Sequence, residues 1–159
     1  MEEKKDLQLE KSAKKTKGPY RNFPMVPRVV FGQGSFDQLG EILLPHRNSN
    51  EAPAIYLVDD VFKNSDLIDR IPILYKDRIV LISADKEPKT GQVDDLVSTI
   101  KEDFAELPSA IVGIGGGTLL DLAKAVAIML NNQGSSANYQ GWDLVHNAAV
   151  YHVGIPTIS

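Results

Sequence analysis

The chain has 159 residues, of which 43% are hydrophobic and 24% are charged, and its formal net charge is −4. This length suits one domain with a real hydrophobic core. The absence of cysteine excludes disulfides and thiolate metal ligands. Because the sequence has neither an apolar run of about 18 residues nor a secretory signal, we expect a cytoplasmic protein with no membrane segment.

Charge is distributed unevenly along the chain. Residues 1–18 contain six lysines against four acids and few apolar side chains, which predicts a disordered charged tail. The interleaved acids and the lack of arginine argue against a basic arm for nucleic acid, and the acidic remainder gives no support for such a partner. One folded domain is expected over residues 19–159.

Beyond the tail, apolar runs alternate with helical patterns, as in a doubly wound α/β protein. The runs predict strands at Val29–Phe31, Ala54–Val58, Arg78–Ser83, Ala110–Val112 and Val150–Ile155. Helices are predicted from Phe36 to near Pro45, over Asn64–Ile71, from Thr90 or Gly91 to before Pro108, and directly after Gly117. Ser35, followed by Gln38 three residues later, matches a capping box. We therefore expect a mostly parallel, Rossmann-like sheet flanked by helices.

The most informative stretch is the glycine cluster between the fourth predicted strand and its helix. Gly115, Gly116 and Gly117 have no side chains, so a ligand can approach their backbone closely. The free N–H groups and the positive dipole end of the next helix favour an anion, most often phosphate. The cluster indicates a site for a nucleotide or dinucleotide diphosphate, although such glycines can also form only a tight connection.

Two charged residues follow on the first turns of that helix. Asp121 and Lys124 stand three apart, on neighbouring sides of the helix. Asp121 is close enough to the loop to contact a substrate or nicotinamide, or it is simply an acid favoured by the helix dipole. Lys124 could reach a polar ligand, pair with Asp121 or remain solvated.

Further polar residues lie at predicted strand ends, where open α/β sheets bind ligands. Asp59 and Asp60 follow one strand and Thr157 follows another, so these ends could converge with the glycine loop on one dinucleotide. A carboxylate at Asp59 can accept the ribose hydroxyls, which favours NAD over NADP. Alternatively, the two acids mark a turn; Asp60 could also take the ribose role. Thr157 could donate to phosphate or to the nicotinamide ribose.

Residues 115–125, Gly-Gly-Gly-Thr-Leu-Leu-Asp-Leu-Ala-Lys-Ala, resemble the Gly-Gly-Gly-Ser-x-x-Asp-x-x-Lys signature of the iron-containing alcohol dehydrogenase family. Thr118 replaces the usual serine and keeps its hydroxyl. Three more segments are similar in the same order, over roughly residues 20–159: Pro27–Ser35, Leu57–Asp60 and Gly154–Ser159. The resemblance implies an NAD-dependent oxidoreductase whose cofactor contacts include Asp59, Gly115, Gly116, Gly117, Thr118, Asp121, Lys124 and Thr157.

The resemblance also implies a divalent metal such as iron, bound by one Asp and three His residues in a helical C-terminal domain. That domain is expected to be absent, because the sequence stops at Ser159, within the last motif. The spacing of His46, His146 and His152 is not typical of metal ligands, and these histidines are not expected to replace the ligands of the C-terminal domain. No catalytic residue can be assigned beyond the contact considered for Asp121.

The resemblance implies a small alcohol or sugar-acid substrate, and a homodimer is compatible with it. One alternative is a catalytically inactive fragment that binds NAD. Another is a lyase similar to dehydroquinate synthase, whose glycine motif is generally followed by Ala-Gly; Lys124 argues against it.

Overall fold

The structure is a computed structural model that describes residues 26–47, 52–74, 76–85 and 87–157. It divides the chain into two units, Met1–Gln33 and Gly34–Ser159. In the first unit, residues 26–33 form neither helix nor strand. The strand predicted at Val29–Phe31 is therefore wrong: these residues are in no strand, and Phe31, at 98% exposure, buries almost none of its apolar surface. The predicted tail over residues 1–18 lies outside the described residues.

The second unit contains a parallel sheet, as predicted. Its strands are β1 (Ala54–Asp59), β2 (Arg78–Ile82), β3 (Ala110–Gly115) and β4 (His152–Pro156). They lie in the order β2-β1-β3-β4, and each neighbouring pair is parallel. The α/β, Rossmann-like class is confirmed.

Helices cover both faces of this sheet. They are α1 (Leu39–Leu43), α2 (Asp66–Asp69), α3 (Thr90–Asp103) and α4 (Gly117–Leu130). Single turns of 3-10 helix cover Ser35–Gln38, Leu44–His46, Asp60–Phe62 and Ser136–Tyr139. Within the described ranges, no helix is long and apolar enough to cross a membrane.

Several predicted boundaries differ from the structure. The helix expected from Phe36 to Pro45 is divided into a 3-10 turn, the short α1 and a second 3-10 turn. The capping box at Ser35 is wrong, because Gly34, with φ of 82°, occupies the N-cap position and no side chain caps the turn. The helix predicted over Asn64–Ile71 is shorter, and β4 begins two residues later than predicted.

The core has two parts, one on each face of the sheet. On one face, α3 and α4 pack against β1 residues Ile55 and Leu57. On the other, α1 packs against Tyr56 and Val58. Because both faces are covered, all six residues of β3 are buried, and the strand sequence is continuously apolar rather than alternating.

Gly113 sets the distance between β3 and α4. A Cβ atom built on Gly113 would lie only 2.7 Å from the Cβ of Ala123. Since neither atom belongs to a flexible side chain, the helix can lie this close only because residue 113 is glycine.

We expect Gly113→Ala to lower the free energy of unfolding by about 1–3 kcal/mol, since the added methyl group overpacks the core. The matched control is Gly91→Ala in α3, where a new Cβ would meet nothing within 4 Å and should cause no loss of stability. Urea denaturation measures both changes. Equal stabilities of the two variants would contradict the close packing.

A second structural constraint lies at the amino ends of β1 and β2. Asp77 accepts two hydrogen bonds from Arg47, at 2.9 and 2.7 Å, and one each from the backbone N–H groups of Ala54 and Leu74, at 2.8 and 2.9 Å. The Asp77 side chain is 1% exposed and that of Arg47 14%. Hydrogen bonding to Asp77 raises the pKa of Arg47. This carboxylate fixes the loop before β2 to the start of β1.

Replacing Asp77 by Asn should lower the free energy of unfolding by about 3 kcal/mol, because Arg47 would lose its anionic partner while remaining mostly buried. The exposed pair of Arg70 and Asp37 offers a control, since its side chains are 49% and 66% exposed. Asp37→Asn should cost far less. Chemical denaturation of both variants gives the comparison, and similar losses would argue against a special role for Asp77.

Candidate functional site

The strand order creates a topological switch point between β1 and β3. After β1 the chain forms α2, on the face of the sheet that also carries α1. It then enters β2, which pairs with one side of β1. After β3 it passes to α4, on the opposite face, and reaches β4 on the other side. The connections therefore diverge at the carboxyl ends of β1 and β3, which is where open α/β sheets bind their ligands.

Asp59 and Gly115 lie side by side at this point. Their preceding residues, Val58 and Ile114, are paired across β1 and β3. A Cβ atom on Gly115 would lie 3.2 Å from the Cβ of Asp59 and 2.9 Å from Cδ2 of Leu119. Glycine at residue 115 thus allows the acid and the first turn of α4 to pack against the same strand end.

Thr157 joins this group through the backbone. Its N–H donates to the carbonyl oxygen of Gly115 at 3.1 Å, just beyond β4. The structure therefore brings together the strand ends that carry Asp59, the glycine loop and Thr157. Thr157 is exposed, so its hydroxyl is accessible at the carboxyl edge of the sheet.

The start of α4 has free backbone donors. Gly116 is the N-cap residue, with extended backbone and no side-chain cap, and the N–H of Leu120 is bonded to its carbonyl at 3.0 Å. The N–H groups of residues 117–119 come before that bond and have no acceptor within the helix. A Cβ atom on Gly117 would meet nothing within 4 Å. This open helix start fits a phosphate group.

The Asp59 carboxylate already has one local contact. Its Oδ1 accepts from the N–H of Val61 at 3.2 Å and so caps the 3-10 turn that begins at Asp60. Asp59 thus forms a turn, as one of the two interpretations of the sequence predicts. Its Oδ2 has no partner in the part of the chain that the structure describes. One oxygen orients the carboxylate and the other remains available to a ligand. Asp60 is exposed beside it.

Asp121 and Lys124 form an ion pair on the surface of α4. Lys124 Nζ lies 3.6 Å from Asp121 Oδ1, and the side chains are 63% and 72% exposed. Such an exposed pair contributes little free energy and can exchange for a ligand contact. Thr118, half-buried on the first turn of the same helix, lies closer to the glycine loop.

The three histidines are separated and have different environments. His46 stacks on Tyr151, with ring centroids 3.3 Å apart, and His146 is exposed. His152 is half-buried, and its Nε2 has no hydrogen-bond partner among the described residues. Burial, and to a smaller extent the charge of Lys124, lower the pKa of His152. No group of three or more His, Cys, Asp or Glu residues in the described ranges could hold a metal ion.

His152 should make the fold sensitive to acid. Its folded-state pKa lies below the unfolded value of 6.5, so at lower pH the unfolded chain binds the proton more readily. We expect stability to be lost as the pH falls below about 6.5. His152→Gln should reduce this loss, which thermal unfolding between pH 5 and 8 would measure. An unchanged pH dependence would show that other groups determine it.

A parallel sheet with an open, glycine-bounded helix start at its switch point places the second unit among the Rossmann-like α/β proteins. The family model described as iron-containing alcohol dehydrogenase matches residues 26–159. The chain therefore belongs to the iron-containing alcohol dehydrogenase family.

Individual relatives agree with this assignment. The chain is 27% identical over 140 residues to the NAD-dependent methanol dehydrogenase of Bacillus methanolicus, covering 86% of this chain and 35% of the relative. It is 26% identical over 132 residues to alcohol dehydrogenase 4 of Saccharomyces cerevisiae, covering 80% of this chain and 33% of the relative. The chain thus spans about a third of the length of these curated relatives.

A solved structure shows the same fold. Sulfoacetaldehyde reductase from Bifidobacterium kashiwanohense, in complex with NAD+, superposes with a TM-score of 0.67. The match covers 88% of this chain and 36% of the reductase, with 20% sequence identity.

Proposed function

We propose that this chain is the cofactor-binding part of an NAD-dependent alcohol oxidoreductase. The observation that carries the proposal is that Asp59 lies beside Gly115 at the switch point. Gly115 comes directly before the uncapped start of α4. This arrangement offers a carboxylate for ribose hydroxyls next to backbone donors for a diphosphate. The NAD-dependent relative from Bacillus methanolicus supports the choice of cofactor.

We propose one direction for NAD across the sheet, based on the order of the strands. The adenosine ribose lies at Asp59, on β1, and the diphosphate lies on residues 116–118 after β3. The nicotinamide half then lies towards Thr157, beyond β4, with Asp121 and Lys124 on the neighbouring helix. The Asp59 carboxylate repels a 2′-phosphate, which disfavours NADP.

Bound NAD supplies the acceptor for a hydride from the alcohol carbon. We infer that the residues of this chain bind and orient that acceptor, and we propose Asp121 as the contact to the substrate or nicotinamide. A divalent metal such as iron is expected from the family, but the described residues do not fit one. We therefore propose that a further domain binds the metal. Separately, we propose a cytoplasmic location for the protein.

The substrate class is a small alcohol or a sugar acid. The amino-acid sequences of residues 20–28 and 139–143 are similar to those of 3-deoxy-manno-octulosonate 8-oxidase. That activity would oxidise the terminal hydroxymethyl group of a sugar acid to an aldehyde. The first of these segments lies largely outside the described residues. In the second, the Tyr139 hydroxyl donates to the carbonyl of Gln133 at 2.7 Å, and Trp142 is 95% exposed.

An inactive NAD-binding fragment remains the second candidate function. It requires only the cofactor site at the ends of β1 and β3, where Asp59 lies beside Gly115. Both candidates require the same cofactor site, and turnover of an alcohol with NAD would distinguish them.

Calorimetric titration with NAD and NADP tests the cofactor site. We expect the chain to bind NAD more tightly than NADP, and Asp59→Asn to weaken NAD binding by about 1–3 kcal/mol, the scale of a hydrogen bond to a charged group. Asparagine can still accept from Val61 N–H, so the turn should be retained.

The matched control is Asp60→Asn, which removes an exposed charge from the next residue. It should leave the affinity for NAD nearly unchanged. Equal effects at residues 59 and 60 would refute a specific ribose contact, and a folded chain that binds no NAD would refute the cofactor site.

A further inference from the structure

One buried side-chain polar atom in the described residues has no hydrogen-bond partner, and it is Nε2 of His152. Buried polar atoms are almost always paired in folded proteins, so an unpaired one needs a bound water, an ion or a functional partner to explain it. The proposed function does not use His152. The side chains around the ring show which group is placed to pair with it.

The imidazole of His152 lies at the junction of β4 and α4. A Cβ atom on Gly154 would lie 3.8 Å from Cε1 of His152 and 3.6 Å from Cδ2 of Leu120. The ring therefore extends along β4 over Gly154, towards the carboxyl edge, and lies on the side of α4 that carries Leu120. Because Nε2 is bonded to Cε1, the unpaired atom also lies between the strand and the helix.

Lys124 is the charged group that faces this ring. It follows Leu120 by four residues and so lies on the same side of α4. Burial is the larger cause that lowers the pKa of His152, and the positive charge of Lys124 is the second; no other charged group among the described residues contributes. The adjacent strand β3, Ala110–Gly115, carries no titratable side chain.

The ammonium of Lys124 has N–H donors for a further partner. Its Nζ lies 3.6 Å from Oδ1 of Asp121, which is too far for a hydrogen bond, and both side chains are mostly exposed. An ammonium carries three N–H donors, whereas an unprotonated imidazole nitrogen is an acceptor. The two groups are thus complementary, and rotation of the flexible lysine side chain would bring them together.

We propose that His152 is a positioning residue for Lys124: its Nε2 accepts a hydrogen bond from the ammonium and holds Lys124 at the cofactor site. This inference rests on the proposed function, in which Lys124 lies beside the nicotinamide half of NAD. One N–H donor binds His152, and two remain for Asp121 and the dinucleotide. Because the lysine side chain is then already fixed, less conformational entropy is lost when NAD binds.

Protonation of His152 removes this contact. The imidazolium ion has no acceptor nitrogen and repels the ammonium of Lys124. We therefore expect NAD to bind about fivefold more weakly at pH 5 than at pH 8, the scale of one hydrogen bond, with circular dichroism to verify that the chain is folded at both pH values. The attraction of a protonated histidine for the anionic dinucleotide has the opposite sign. An NAD affinity that rises in acid would overturn the proposal.

Titration of His152 followed by NMR tests the juxtaposition without any ligand. Lys124→Met removes the neighbouring charge and should raise the pKa of His152 towards its ordinary value of 6.5. The matched control is Lys101→Met on α3, which removes an equal charge that does not act on His152. An unchanged pKa of His152 in Lys124→Met would overturn the proposal.

Calorimetric titration with NAD at pH 8 tests the positioning itself. His152→Leu should weaken NAD binding about fivefold in the wild-type chain but not in Lys124→Met, where no ammonium remains to be held. His152→Gln offers an amide oxygen as the acceptor, so it should keep the affinity and lose the pH dependence. His146→Gln, at an exposed histidine, should keep both.

Equal losses from His152→Leu in both backgrounds would show a merely structural role and overturn the inference, while the proposed function would stand. Loss of the pH dependence in His146→Gln would also overturn it, because a different histidine would then be responsible. A folded wild-type chain that binds no NAD would overturn both the inference and the proposed function.

Discussion

The close approach of α4 to β3 is the contact on which the rest of the structure depends. Gly113 allows the helix to lie against the strand through Ala123, and Gly115 allows the first helical turn to pack beside Asp59. A larger residue at either position would push the helix start away from the sheet. The open N–H groups would then no longer lie next to the acid at the end of β1, and the polar groups at the switch point would be separated.

The two edges of the sheet are built differently. At the amino edge, Asp77 is saturated by four hydrogen bonds and almost completely buried. Tyr56 on β1 donates to the carbonyl of Pro72 at 3.0 Å, and burial raises its pKa to about 12. At the carboxyl edge, by contrast, Asp59 and Asp85 each have one carboxylate oxygen with no partner among the described residues. The amino edge is thus held by internal hydrogen bonds, whereas the carboxyl edge has carboxylate oxygens that can accept from a ligand.

Much of this arrangement is accessible from the sequence, because buried parallel strands and the glycine loop have strong local patterns. The strands near residues 54, 78, 110 and 152 were predictable for that reason. The contact of Arg47 with Asp77 was not, since a pair 30 residues apart leaves no local pattern. Ser35 shows the opposite error: a good capping pattern is overridden by the left-handed backbone of Gly34. The convergence of strand ends was anticipated, but the orientation of Asp59 by Val61 requires coordinates.

Because Val61 holds one oxygen of Asp59 before any ligand is present, the side chain has already lost rotational freedom on folding. A freely rotating side chain loses about 0.5–1.5 kcal/mol of entropy when a ligand immobilises it. At Asp59 most of that loss belongs to the folding equilibrium instead. The ribose contact should therefore contribute mainly favourable enthalpy to binding, with a small entropic penalty from the protein.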